Sequence, residues 1–208
     1  MNRSMMLSVV ALSLIAGSTQ ANLVVNGDFQ TGTLGPSTTT YALDGSMWPE
    51  TTWNIVSFDT LHPYWGDFND HTFGDSRGYY MIINGSTSPV GAAWAQTVAV
   101  TPGTDYQLSG WFASLFGGAP SSVEFRIDGQ LIQPNFTLTS NIGAWEEHAV
   151  TFNSGQRSQI SIEIWDTSGV ASGNDYAIDD ISLAAVPAPG AMGLIGVGGL
   201  LASRRRRA

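Results

Sequence analysis

The sequence predicts an all-β fold, an antiparallel β-sandwich of the jelly-roll kind, and three observations carry that reading. Apolar and polar residues alternate with period two in short runs, most regularly in SVEFRIDGQLI and QISIEIW. Asp128-Gly129 sits between two such runs as a tight hairpin signal. Gly, Pro and Asn breaks recur along residues 23–183, giving about nine short strands and no recurring helix signal.

In chain order, the expected strands are 23–26, 52–58, 79–83, 94–100, 106–112, 123–127, 146–152, 159–165 and 176–183. In the sixth, Val123, Phe125 and Ile127 share one face, and Glu124, Arg126 and Asp128 share the other. In the eighth, Ile160, Ile162 and Ile164 point inward, which leaves Ser161, Glu163 and Trp165 outside. By the same alternation Trp111 falls with Gln107 and Ser109, opposite Tyr106, Leu108 and Phe112. In the last strand Asp179 keeps parity with Ile181 and Leu183, so its carboxyl is expected to point into the core. Residues 31–76 alternate poorly and are rich in glycine, aromatics and acids. That stretch is expected to be a long loop region wrapping an edge or face of the sandwich, where function often resides.

The two ends differ in composition from this domain. Arg3, the uncharged apolar run 5–16 and the small residues 17–21 form a secretory signal peptide, 1–21, with cleavage after Ala21. The apolar run is too short for a spanning helix, which needs about 20 residues. At the other end, VPAPGAMGLIGVGGLLASRRRRA joins a proline motif, an uncharged Gly-rich run over 188–203 and four arginines. This three-part order resembles the PEP-CTERM sorting signal of bacteria with exosortase-type processing. Val186, Pro187, Ala188, Pro189 and Gly190 form a VPAPG variant of its Pro-Glu-Pro motif, with Ala188 at the glutamate position. Arg204, Arg205, Arg206 and Arg207 are the basic cluster that the positive-inside rule keeps cytoplasmic. The resemblance implies a single short transmembrane helix held transiently in the inner membrane. An exosortase-type enzyme would then process the tail and release the protein to the cell surface or extracellular matrix. A permanent single-span anchor is the rival reading.

The domain between these ends, 22–185, contains all 17 acidic residues against Arg77, Arg126 and Arg157, a formal charge of −14. Lysine is absent. Nucleic acid is thereby excluded as a partner, because phosphate binding requires a basic footprint. Cysteine is also absent, so stability must come from the core or from bound metal.

NLVVNGDFQTG at the start of the domain, YAIDDISL at its end, and WAQTVAVTPGTDYQLSGWFA and WEEHAVTFNSG between them together resemble the galactose-binding-like jelly rolls, especially CenC-type carbohydrate-binding modules. That resemblance implies a structural calcium ion, Ca2+, between the opening and closing segments. Its ligands would come from Asp179, Asp28 and the backbone near Asn26, with Gln30 in place of the usual glutamate. The alternative is that Asp179 caps turn amides.

The resemblance also implies a carbohydrate ligand. Trp111 and Trp165, on the polar parity of their strands, are candidates for a sugar-stacking platform, with Gln107 and Glu163 as hydrogen-bonding neighbours. The alternative has the 31–76 region covering both tryptophans as a second core. DTLHPYWGDFNDHTFGD is the densest polar-aromatic cluster, and Tyr64 and Trp65 are its candidates for sugar contact. Its spacing fits neither an EF-hand calcium loop nor a zinc-protease helix.

Enzyme signals are weak. There is no nucleophile elbow, cysteine nucleophile or phosphate loop. His148 and Glu146 share a strand face, either as an acid–base pair or as a solvated surface. The expectation is an exported, non-catalytic module that binds extracellular polysaccharide. A matrix or adhesion protein that binds another protein is the alternative, and a secreted glycoside hydrolase is the third reading.

Overall fold

The structure is a computed structural model that describes residues 21–170 and 172–187. The expected signal peptide, apart from Ala21, lies outside the described residues. So do the apolar run of the expected sorting tail, Ala188, Pro189, Gly190 and Arg204 to Arg207. Of the expected sorting motif only Val186 and Pro187 are described, and Val186 donates its N–H to the Asp105 carbonyl at 2.8 Å.

Eleven strands form two sheets: β1 (Ala42–Leu43), β2 (Thr52–Val56), β3 (Tyr80–Asn84), β4 (Trp94–Ala99), β5 (Asp105–Ser114), β6 (Ser122–Ile127), β7 (Gln130–Leu131), β8 (Phe136–Thr137), β9 (Glu146–Asn153), β10 (Gln159–Asp166) and β11 (Tyr176–Ala185). One sheet runs β1-β2-β3-β11-β5-β9. The other runs β4-β10-β6-β7, with β8 also pairing β6. Every pairing is antiparallel except that of β1 with β2.

Alternation explains the packing between the sheets. Ile160, Ile162 and Ile164 of β10 and Val123, Phe125 and Ile127 of β6 meet Leu108 and Phe112 of β5 and Ile178 and Leu183 of β11 in the main core. Each such side chain contributes about 1.5–3 kcal/mol when fully buried, an upper figure because the unfolded chain is itself partly compact. Asp128, with φ of 50°, and Gly129, with φ of 75°, make the β6–β7 hairpin turn. Both residues at positive φ is the type I′ requirement that Asp-Gly satisfies.

The six-stranded sheet is buried on both sides, which strict amphipathic alternation does not anticipate. Its outer face carries a second core of Met47, Val56, Trp65, Tyr80, Ile82, Ala113, Leu115 and Ala177, with Phe68, Phe116 and Trp145 packed against it. Residues 31–76 supply Met47, Val56, Trp65 and Phe68 to this core, and they contain β1 and β2.

Two expectations are corrected. Residues 23–26 form no strand. Leu23 makes one ladder bond to the Leu183 carbonyl, after which the Asn22 side chain takes over. Its Oδ1 accepts the N–H groups of Val24 and Leu183, and its Nδ2 donates to the Ile181 carbonyl. Asn26 and Phe29 then turn the chain at φ of 57° and 52°.

The second correction concerns Asp179. The β11–β5 register shifts between Asp179 and Ser182, and Asp180 has φ of 45°. This bulge flips the side-chain parity. Ile178, Ile181 and Leu183 all face the main core, whereas Asp179 pairs with Trp111 and faces outward beneath the covering segment.

Candidate functional site

The covering segment is fastened to the sheet at that bulge. Asp179 is fully buried, and its Oδ2 accepts the backbone N–H groups of His71 (2.9 Å) and Thr72 (3.2 Å) while its Oδ1 accepts that of Asp180 (2.8 Å). Asp180 in turn bonds the His71 ring at 2.6 Å and accepts the Thr72 hydroxyl at 2.9 Å. Burial, then the neighbouring Asp180 charge, pushes the Asp179 carboxyl up to about 8. Asp179 thus caps turn amides, the alternative to an ion ligand.

Of the four residues named for calcium, Asn26 and Asp28 line one hollow, and Gln30 and Asp179 are not among its lining residues. Asn26 spends its Oδ1 on the Thr31 N–H and its Nδ2 on the Thr33 carbonyl. Gln30 accepts the Tyr79 N–H with Oε1 and donates Nε2 to the Tyr79 carbonyl, working as a clasp between segments. Asp28 lines that hollow together with Asn26, Gly27 and Asp180. Among the described residues no group of three or more His, Cys, Asp or Glu side chains is placed to hold a metal ion.

Trp111 and Trp165 do not form one platform, because they stand on the outer faces of opposite sheets. Trp111 is half-buried and stacks on the His71 ring at 3.8 Å, so the covering segment occupies its sugar-facing side. Gln107 is exposed four residues away on the same strand, a distance of about 13 Å. Trp165 lies under the Arg126 guanidinium, 4.1 Å from the ring centroid, and donates its Nε1–H to Glu163 at 2.8 Å. Arg126 also pairs with Glu124, which completes a closed cross-strand ladder on β6 and β10. His148 stacks on Phe136 at 3.8 Å, and its Nε2 is 3.8 Å from Glu146, beyond hydrogen-bond reach. Glu146 instead accepts the Thr139 N–H.

Tyr64 and Trp65, by contrast, belong to a cleft of about 330 Å³ at one end of the outer face of the six-stranded sheet. Trp48, Glu50, His62, Asn84, Phe116 and Asp175 line it with them. The aromatic wall centres on the His62 ring, 4.6 Å from that of Trp48, 5.7 Å from Tyr64 and 4.7 Å from Trp65. Trp48 and Tyr64 meet edge-on at 88° and are 56% and 68% exposed, so their faces are available to a ligand. Trp65 is buried, and its Nε1–H reaches Asp175 Oδ2 at 3.1 Å.

Asp175 precedes β11 at the floor of the cleft, and Gly85 N–H donates to its other oxygen at 3.4 Å. Burial raises its carboxyl to about 6, the two N–H donors oppose that rise, and the charges of Asp166 and Glu50 add to it. Burial also lowers the basicity of His62. Asn84 gives its Nδ2 to the Met47 carbonyl at 2.7 Å, which leaves Oδ1 as an acceptor.

The backbone around this cleft is bent against its preferences. Met47, Thr51 and Leu61 all have positive φ, of 54°, 63° and 66°, and for β-branched Thr51 such a conformation is a true outlier. Each costs about 1–3 kcal/mol. Local bonds hold them: Asp44 accepts the Met47 N–H, Thr51 N–H bonds the Asn84 and Gly85 carbonyls, and Asp59 accepts the Leu61 N–H. These turns hold Trp48, Glu50 and His62 at the rim. Trp48, Glu50, Asn84, Phe116 and Asp175 escape sequence reasoning because they lie on four separate segments, and the one available signal was the dense DTLHPYWGDFNDHTFGD cluster.

No protein-family model matches the sequence. Solved structures do resemble the fold. The CBM22-1 xylan-binding domain of Paenibacillus barcinonensis Xyn10C is 15% identical over 83% of this chain and 99% of that domain, with TM-score 0.54. TmCBM61 in complex with β-1,4-galactotriose is 15% identical over 80% of this chain and 99% of its own length, with TM-score 0.52. The Stig cyclase Fisc from Fischerella sp. TAU, in complex with (3Z)-3-(1-methyl-2-pyrrolidinylidene)-3H-indole, is 13% identical over 82% and 100%, with TM-score 0.55. At these identities the likeness establishes the fold, a β-sandwich shared by carbohydrate-binding modules and by at least one cyclase.

Proposed function

We propose that this protein is a non-catalytic carbohydrate-binding module, exported and sorted to the cell surface or extracellular matrix, that binds polysaccharide in the Trp48–Tyr64–Asp175 cleft. The single observation that carries this reading is the cleft itself. Two exposed aromatic rings stand beside a buried carboxylate and an amide oxygen, the combination that stacks a pyranose face and hydrogen-bonds its hydroxyls. The fold shared with xylan- and galactotriose-binding modules supports it. Trp111, Trp165, Gln107 and Glu163 have no part in this binding. The export half of the proposal rests on the two chain ends, whose composition resembles a signal peptide and a PEP-CTERM tail processed by an exosortase-type enzyme.

A glycan array followed by polysaccharide pull-down tests the binding half. Trp48→Ala should lower retention at least about fivefold, the loss of a stacking ring being worth about 1–3 kcal/mol where the ring carries the contact. Failure of every glycan to bind the wild type would sink the proposal. Release of new reducing ends from a bound polysaccharide would replace it with hydrolysis, since Glu50 and Asp175 share the cleft.

A further inference from the structure

We infer that the cleft takes a cationic saccharide, a polysaccharide bearing unacylated amino groups, in preference to a neutral one. This rests on the glycan-binding reading above and names its substrate class.

The wall and floor have the chemistry of an ammonium site. The ring centroids of Trp48, Tyr64 and Trp65 each lie within 5.7 Å of that of His62, and an ammonium group is attracted to the faces of Trp and Tyr rings. Glu50 at the rim and Asp175 at the floor are both carboxylates, and no arginine lines the cleft. The three arginines among the described residues are committed elsewhere: Arg77 to Asp75, Arg126 to Glu124 and Arg157 to Asp128.

Asp175 is the decisive group. It is 7% exposed, has the charges of Asp166 and Glu50 near it, and among the described residues is met by two N–H donors and no cation. A buried carboxylate without a counter-charge is costly. Its raised pKa is in keeping with that deficit. A neutral pyranose would desolvate this carboxylate further and return only hydroxyl bonds. A protonated sugar amine supplies the missing positive charge while its ring stacks on Trp48 or Tyr64. The domain's charge of −14 attracts a polycation over a longer range, although that field alone does not select the cleft.

Isothermal titration of the intact protein with a hexamer of glucosamine, a hexamer of N-acetylglucosamine and xylohexaose separates the outcomes, at a pH that keeps the amine protonated and at physiological salt. The glucosamine hexamer should bind at least about tenfold more tightly than the acetylated hexamer, as expected for a desolvated cation–π contact plus an ion pair. Trp48→Ala, which leaves the net charge unchanged, should remove that preference, and Glu50→Gln, at an exposed position, should weaken the glucosamine hexamer roughly threefold more than it weakens xylohexaose. Equal or tighter binding of the acetylated or neutral hexamer would overturn the inference and leave glycan binding standing. Binding of the glucosamine hexamer that Trp48→Ala retains in full would mark general charge attraction and overturn it as well. No binding of any glycan, in this titration or on the array, would remove both.

Discussion

Raising the pH from 6.5 to 8 should destabilise this protein through one carboxyl group, Asp179. Its unfolded value is near 3.8, and burial beside Asp180 raises it to about 8 in the folded state. Between those values the native state holds a proton that the unfolded chain has released. Stability therefore falls as pH rises, by up to about 1.4 kcal/mol per unit. Asp175 acts in the same sense, but only up to about 6. His62 and His148, both lowered from 6.5 by burial, act in the opposite sense below that pH, because there the unfolded chain binds the extra proton. From 6.5 to 8 Asp179 is the dominant group, and with the two histidines opposing it as the unfolded chain loses its last imidazolium protons, the net loss is about 1 kcal/mol. For a domain of this size that lowers Tm by roughly 2–4 °C. Urea unfolding followed by tryptophan fluorescence across this interval measures the slope, and Asp179→Asn, which cannot titrate, should flatten it. A flat wild-type profile, or a slope that survives in Asp179→Asn, would refute the reasoning.

Other expectations follow from the same geometry. Gly27→Ala should cost about 1–3 kcal/mol in urea unfolding, because a Cβ there would lie 2.2 Å from the Ile181 carbonyl oxygen and 2.9 Å from Val24 Cγ1. Adding EDTA should leave Tm unchanged, since the oxygens of Asn26, Gln30 and Asp179 are already occupied by N–H groups; a fall that calcium restores would show that an ion displaces those bonds. Trp165→Ala should leave polysaccharide retention at the wild-type level while Trp48→Ala lowers it severalfold, so parallel losses in both variants would place the ligand on the wrong sheet.

Strands were legible wherever one face met the core and the other met water. Thus β6 and β10 lie within a residue of their expected positions, with Val123, Phe125, Ile160 and Ile162 inside. Legibility failed where a side chain replaced the ladder, as Asn22 does beside Leu183, and where a bulge reset the alternation, as at Asp180. The same bulge turned a correct inference about Asp179, that its carboxyl is buried, into a wrong one about the direction it faces. At the cleft, Tyr64 and Trp65 stood out because they are adjacent in an aromatic-rich run. Trp48, Asn84 and Asp175 did not, because nothing in their local patterns distinguishes a cleft residue from any other loop or strand-end residue.

What the amino-acid sequence determined by itself was the class of fold, the acidic character and the absence of disulfides, all of which depend on local alternation and composition. Only the tertiary structure decided which tryptophans meet solvent together. Trp111 and Trp165 share a parity but stand on opposite sheets, whereas Trp48, Tyr64 and Asp175 are far apart in the chain and line one cleft. The physical reason is that parity specifies a face within one strand. The neighbours across that face are set by sheet order and by the segment folded over it, here held in place by Asp179 and Asp180.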